Sequence, residues 1–418
     1  MNVRERFLTV MDGGAAASPK WEFGYWGANY ANWYREGLPK HREPHPLTKA
    51  VTTNSSLYIP CWNSLPPGQL SAGMAVLGGG LYWPTQGFAL DDDVRVECGM
   101  DKGQILVNLD LLFHPCFEPR VLSENETSLV YVDLDGVKRQ FSKETGVIPS
   151  ALENPIKDWA TWNRLKAERL SPKDVKGRFP ANWASLLKRY RNRDYPLVLG
   201  GYPQGYFGTL AHLMGYEHLF YNYTDDPKLI HDIQKTFTEI WIAVYEEVLA
   251  QTDVDMFVFW EDISAGTGSM VAPAMIREYM LPYYKRMTGF LKAHGVKVIF
   301  VDTDGECTDL IPLFLEGGVT GMYPMEASCG VDIVKVRKLF PTLQLMGGIP
   351  KSEIPRGPAR IDEILRPAQE VLSTGRYVPF GDHLIPPEVH WDEFSYYRRR
   401  LNGMIDAAAA GGIPGAAV

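Results

Sequence analysis

The 418-residue sequence lacks most of what marks the commoner protein classes. Its five cysteines, at 61, 98, 116, 307 and 329, are scattered and odd in number. That excludes a secreted-type disulfide framework and favours a reducing, cytoplasmic compartment; the Cys307–Cys329 interval also fits no zinc ribbon. No apolar run approaches the roughly 18 residues that a membrane-spanning helix needs. The opening "MNVRERFLTVMDGG" has neither a long apolar core nor a small-residue cleavage site, and predicts a helix rather than a signal peptide. Basic runs are missing apart from "RRR" at 398–400, and the net charge is a mild −8. Neither nucleic acid nor a membrane surface is expected as a partner. No strand is followed by a dinucleotide fingerprint: "GGYPQG" has the wrong spacing and "SAGTGS" is an isolated glycine-rich loop. No P-loop and no Ser-His-Asp order is present.

What is present divides unevenly. Residues 1–150 are irregular and rich in glycine, proline and aromatics, as in "PCWNSLPPGQLSAGMAVLGGG". Within them "SLVYVDLDGVKRQF" predicts a β-hairpin turning at "DLDG". Residues 195–405 repeat strand, loop and helix. Strands such as "VDMFVFWED" and "VKVIFVDTDG" are apolar throughout, and helices such as "PKLIHDIQKTFTEIWIAVYEEVLAQT" carry apolar residues at three- and four-residue steps. Strands buried on both faces and alternating with helices are parallel β/α units. A single (β/α)8 barrel over 1–418, with an N-terminal extension and a small hairpin insertion, is the expected architecture.

In such a barrel the C-terminal strand ends build the active site. In order, those ends carry Tyr202; Glu261 and Asp262; Asp302 and Asp304; Glu326; Lys351; Asp382 and His383. Converging carboxylates repel unless a cation, a proton or a hydrogen-bond donor holds them. Each has a plainer reading beside the functional one: Asp304 as a helix cap, Glu326 as a bridge to Lys351, Glu261 and Asp262 as solvated loop acids. His114 and His212 have no comparable context and read as structural. The aromatics of "WEFGYWGANYANWYREGLP" alternate as a first strand and then share a helix face. They are either core or the wall of a pocket for a flat ligand, with Trp21, Phe23, Tyr25 and Trp26 as wall candidates.

Together "RERFLTVM", "WEFGYW", "ENPIKDWATWNRLK", "PYYKRMTGFLKAHGVKVIFVDTDG", "LIPLFLEGGVTGMYPMEASCGVDI", "LMGGIPK" and "GDHLIPPEVHWDEFSYY" resemble the uroporphyrinogen decarboxylase superfamily. The resemblance implies a (β/α)8 barrel and one of two chemistries. One is decarboxylation of the acetate arms of uroporphyrinogen without a cofactor. The other is methyl transfer to or from a corrinoid protein, usually assisted by zinc. The decarboxylases carry an arginine-rich N-terminal motif that grips the substrate's carboxylates; here that stretch has no arginine before Arg35 and contributes Glu22. Members that methylate coenzyme M carry His-x-Cys where this chain has Asp302-x-Asp304. At the last strand Asp382 and His383 replace a cysteine.

The resemblance therefore implies, for this chain, a harder site in which Asp302, Asp304 and His383 bind zinc or another divalent ion. Glu261, Asp302 and His383 are then the catalytic candidates. Tyr202, Asp262 and Glu326 join the aromatics in holding substrate. The expected role is the methyltransferase component of a corrinoid-dependent demethylation system, acting on a methoxylated or N-methylated small molecule. No Asp-x-His-x-x-Gly cobalamin motif is present, so the corrinoid would arrive on a partner protein; a homodimer is also compatible. The alternatives are a decarboxylase-like lyase acting on a porphyrinogen or a smaller acid, and a ligand-binding barrel without turnover.

Overall fold

Strict alternation along the buried strands decides what the inside of this protein is. A computed structural model describes residues 1–41, 75–77, 92–107, 109–142 and 149–411. Most of the glycine-rich stretch 60–80 lies outside them. Seven strands, Ile105–Leu106, Leu197–Gly200, Met256–Trp260, Val298–Asp302, Gly321–Tyr323, Gln344–Ile349 and Tyr377–Gly381, form one parallel sheet in sequence order. The two edges are bridged by the segment leading into the short strand Gly24–Trp26. The N–H of Ile385 donates to the carbonyl of Gly24 at 2.9 Å, and the Trp21 indole donates to the carbonyl of Lys102 at 2.7 Å. The sheet thereby curls into a (β/α)8 barrel, with helices such as Pro227–Leu249 and Leu281–Ala293 outside it.

Successive side chains on a strand face opposite ways. Met256 and Val258, Val298 and Phe300, Met346, and Val378 and Phe380 belong to one core cluster, inside the barrel. Phe257 and Phe259, Ile299 and Val301, and Leu345 belong to the other, beneath the helices. The helix Val3–Met11 sends Phe7 and Met11 into the inner cluster and plugs the barrel from below.

The expected hairpin is part of a larger unit. Strands Arg120–Glu124, Ser128–Val132, Lys138–Ser142 and Ser150–Glu153 form a four-stranded antiparallel sheet, turning at Asp133–Gly136 as "DLDG" predicts. The basic triplet at 398–400 is split: Arg398 is fully buried in the helix Trp391–Ala409, while Arg399 and Arg400 are exposed and Arg400 pairs with Asp362. Among the described residues no helix is long and apolar enough to cross a membrane.

Glu22 is the polar pin of the closure. It is fully buried and accepts from the N–H groups of Gly381 at 2.7 Å and Phe23 at 3.1 Å. Its other oxygen lies 3.2 Å from Arg398, also fully buried. Burial pushes the carboxyl of Glu22 up, and Arg398 opposes that shift. Removing one member strands a charge in the core. Glu22→Ala should therefore cost about 3–5 kcal/mol in denaturant unfolding, whereas Glu36→Ala, near the surface, should cost far less.

Candidate functional site

A cavity of about 1010 Å³ lies over the C-terminal strand ends, roofed on one side by the four-stranded insert. Phe23, Trp26, Tyr202 and Trp260 bring rings to it; Asp262, Asp302, Asp304 and His383 bring titratable groups. Alternation accounts for much of this. Asp302 continues the inward series of Val298 and Phe300, and Trp260 that of Met256 and Val258. Asp262 is held in the left-handed region, at φ +46°, which is uncommon for a residue with a Cβ.

Burial pushes the carboxyl of Asp302 well above the usual range, and the charges of Asp304 and Asp262 push the same way. Burial likewise lifts Asp304 to about 7, reinforced by Glu326, and Asp262 to about 6, reinforced by Asp304. His383 goes the other way, down to about 4, through burial and the nearby charge of Lys351. Its ring stacks on Phe23 at 4.8 Å between centroids, and Nε2 lies 3.3 Å from Asp304. This wall thus sets an imidazole that is neutral at neutral pH beside three carboxyl groups whose pKa values are all raised.

Other expected members lie elsewhere. Glu261 falls on the outward face with Phe257 and Phe259, and does not line the cavity. It is fully buried and accepts from the N–H groups of Tyr206 at 2.8 Å, Phe207 at 2.6 Å and Gly208 at 3.2 Å, and from the Tyr284 hydroxyl. Burial raises it to about 7 against those bonds. It holds a helix start in place and is not a candidate acid. Trp21 and Tyr25 are fully buried core residues, the first against Phe7 and the second against Trp33 and Phe394, so only Phe23 and Trp26 of the four aromatics reach the cavity.

Glu326 accepts from the N–H of Gly305 at 2.8 Å and bridges Lys351 at 2.9 Å. Despite its burial these contacts hold its pKa low. The ammonium of Lys351 is also 3.6 Å from Asp382, whose oxygens accept from the N–H groups of Lys351 and Ser328. Burial works against the charge of Lys351, but Asp382 and Glu326 hold its pKa above the usual value. Asp304 caps no helix; Glu306 accepts from the N–H of Thr308 instead.

The same cavity has a second polar wall that the sequence reading missed. His212, on the helix Gly208–Met214, lies 2.9 Å from Asp135 through Nε2. Its Nδ1 lies 3.3 Å from the Tyr202 hydroxyl and 3.2 Å from Arg139. Asp133 accepts from Arg139 at 2.6 Å and from the N–H groups of Asp135 and Val137. The "DLDG" turn was visible in the sequence; nothing there said that it folds back onto His212.

Among the described residues, Asp133, Asp135 and His212 are the one group of donors spaced to share a metal ion. Arg139 already sits on that group with its own positive charge. Asp302, Asp304 and His383 do not gather into such a set, and Lys351 supplies the cation of their neighbourhood. The expected zinc centre at these strand ends does not fit the residues present.

These features can be set beside known proteins. A search of curated proteins finds no match. Among solved structures, a methyltransferase from Methanosarcina mazei superposes with a TM-score of 0.52, covering 97% of this chain and 98% of its own, at 14% sequence identity. Identity that low speaks for the shared fold alone. The sequence profile of the uroporphyrinogen decarboxylase (URO-D) family matches residues 129–396, most of the chain, including the strand ends with Asp262, Asp302, Asp304 and His383. The chain belongs to the uroporphyrinogen decarboxylase family.

Proposed function

We propose that this chain is an enzyme of the methyl-transferring kind, the methyltransferase component of a corrinoid-dependent demethylation system. It takes a methyl group from a methoxylated or N-methylated small molecule. The observation that carries this reading is the aromatic cavity with the inward-facing Asp302 at its base and, among the described residues, almost no available positive charge. Among the described residues Arg139 is the one arginine lining it and is bound to Asp133; Lys157 is paired with Glu153. A polycarboxylate such as uroporphyrinogen needs cationic forks that this wall does not offer. The name of the Methanosarcina structure agrees with methyl transfer.

Removing a methyl group from oxygen or nitrogen requires the leaving atom to be made less basic as the bond to carbon breaks. Asp302, facing inward and biased toward its protonated form by burial and by Asp304 and Asp262, donates its proton to that atom. Phe23, Trp26, Tyr202 and Trp260 hold the ring and keep bulk water away. Asp262 and Asp304 keep the Asp302 proton in place, because a third negative charge beside them is costly. The methyl acceptor comes from outside the chain: Cys116, which lines the cavity, has its thiol pushed up to about 12 by burial and nearby Asp110, and is no thiolate at neutral pH. A reduced corrinoid on a separate protein supplies that nucleophile when docked. No step is assigned to zinc.

The assay is methyl transfer to reduced cobalamin from a panel of methoxyarenes and methylamines, followed by the cobalamin spectrum. Turnover of uroporphyrinogen together with no methyl transfer from any donor would overturn the reading. Asp302→Asn should lower kcat on the order of 10²–10³-fold, with KM little changed. In the wild type kcat should hold as pH rises through about 7, because the charge that Asp304 then gains raises the Asp302 pKa further and keeps its proton in place.

The same wall carries a stability signature. The folded-state pKa of Asp304 is raised from the usual 3.8 to about 7. Folding thus favours its protonated form, and the stability this contributes is full below about pH 4 and lost as pH rises through 7. Asp304→Asn cannot ionise, so its Tm should gain on the wild type at pH 8 relative to pH 5. Equal differences at the two pH values would contradict the assignment.

A further inference from the structure

The described residues that line the cavity carry eight carboxyl groups against one guanidinium and one ammonium group. Arg139 is committed to Asp133 and Lys157 to Glu153, so neither base offsets the other acids. His383 is neutral at neutral pH, its pKa held down at about 4 by burial and by Lys351. Lys351 itself lies between Glu326 at 2.9 Å and Asp382 at 3.6 Å. The cavity therefore holds a surplus of acids between apolar walls. Such a cleft concentrates cations and repels anions.

Strand register sets rings beside those acids. In the parallel ladder Trp260 pairs with Asp302, and Asp302 with Tyr323. Gly200 pairs with Val258, and Tyr202, two residues past Gly200, reaches Trp260. The Tyr202 and Trp260 rings meet edge-on, 4.6 Å between centroids and 69° between planes, and so wall a corner of the cavity. Asp262 stands directly after that corner. Its carboxyl group lines the cavity and accepts no hydrogen bond from any described residue. An ammonium ion suits this combination. A carboxylate attracts it as a charge and accepts charge-assisted hydrogen bonds from its N–H groups, and electron-rich rings attract it through their quadrupoles. A neutral ether of the same shape gains only the apolar contact.

We propose that the strand-end wall contains a cation subsite, in which Asp262 and the rings of Trp260 and Tyr202 hold the ammonium group of an N-methylated amine. This deepens the function proposed above and rests on its methyl-donor reading, choosing the N-methylated class over the methoxylated one. Asp262 is the residue in contact with the cation. Burial raises the carboxyl groups of Asp262, Asp302 and Asp304, and repulsion among these acids adds to it. A positive charge held between them opposes both effects. A departing amine keeps the proton that its nitrogen shares with Asp302, so the subsite needs no different chemistry at the methyl group.

The test is calorimetric titration of the full chain with N-methylbenzylamine and benzyl methyl ether. The two share one heavy-atom frame and differ by a charged nitrogen against a neutral oxygen. The wild type should bind the ammonium ion about ten-fold or more tightly than the ether. Asp262→Asn should remove most of that preference and leave ether binding unchanged, which also shows that the cavity is intact. Asparagine tolerates the left-handed backbone of this position, so the variant keeps its local conformation. Equal binding of the two compounds by the wild type, binding of neither, or a preference that survives Asp262→Asn would overturn the proposal. So would loss of both ligands together in the variant, which marks Asp262 as a structural residue. The readout needs no turnover. Selective ammonium binding without methyl transfer to reduced cobalamin retains the subsite and removes the methyl-transfer reading; methyl transfer from the ether with no preference for the cation does the reverse.

Discussion

An ionised carboxyl group cannot sit unpaired in a dry, ring-lined cavity, and the chemistry of this site follows from how each acid meets that constraint. Glu326 and Asp382 remain charged beside Lys351 and backbone N–H groups. Glu261 is bonded to a helix start and a tyrosine. Glu22 is paired with Arg398. Asp302 has Tyr323 and Asp304 has His383 beside it, but burial outweighs these contacts, and the pKa values of Asp262, Asp302 and Asp304 rise. The acids of the barrel mouth thus fall into a structural group that keeps its charge or its donors and a cavity group whose pKa values are raised.

Much of this was legible in the sequence because parallel strands are a simple code. "VIFVDTD" shows by its apolar run that it is buried on both faces. Counting by twos from Val298 through Phe300 puts Asp302 inside. The same count from Met256 puts Trp260 inside and Glu261 outside, so Glu261 was separable from Asp302 by arithmetic on the sequence alone. Residue type alone joins them, since both are acids at a strand end. Trp21 and Tyr25 show the complementary limit. Their types suit either a core or a ligand wall, and only the packing against Phe7, Trp33 and Phe394 decides between the two.

His212 and Asp135 were not legible for a different reason. They are far apart in the chain, and their pairing depends on where the insert sheet docks on the barrel. Local pattern fixes the turn at "DLDG" and the helix around His212, but the contact between them is a tertiary fact. The metal expectation failed in a related way. Two aspartates and a histidine at strand ends have the right composition for a hard cation. Composition does not say that Lys351, at the end of the strand Gln344–Ile349, brings its own positive charge close to Asp304 and His383.

The two walls of the cavity differ in how far their polar groups already satisfy one another. On the insert side His212 is engaged by Asp135, Arg139 and Tyr202, and Asp133 by Arg139 and two backbone N–H groups. On the strand-end side Asp302 faces inward with its carboxyl pushed well up by burial and by Asp304 and Asp262. A proton held against those neighbours is the kind a ligand atom can compete for, whereas the insert side is bonded to itself. On the proposed reading the reacting atom therefore belongs at the strand ends, on the rigid part of the barrel, where preorganised groups count most for rate.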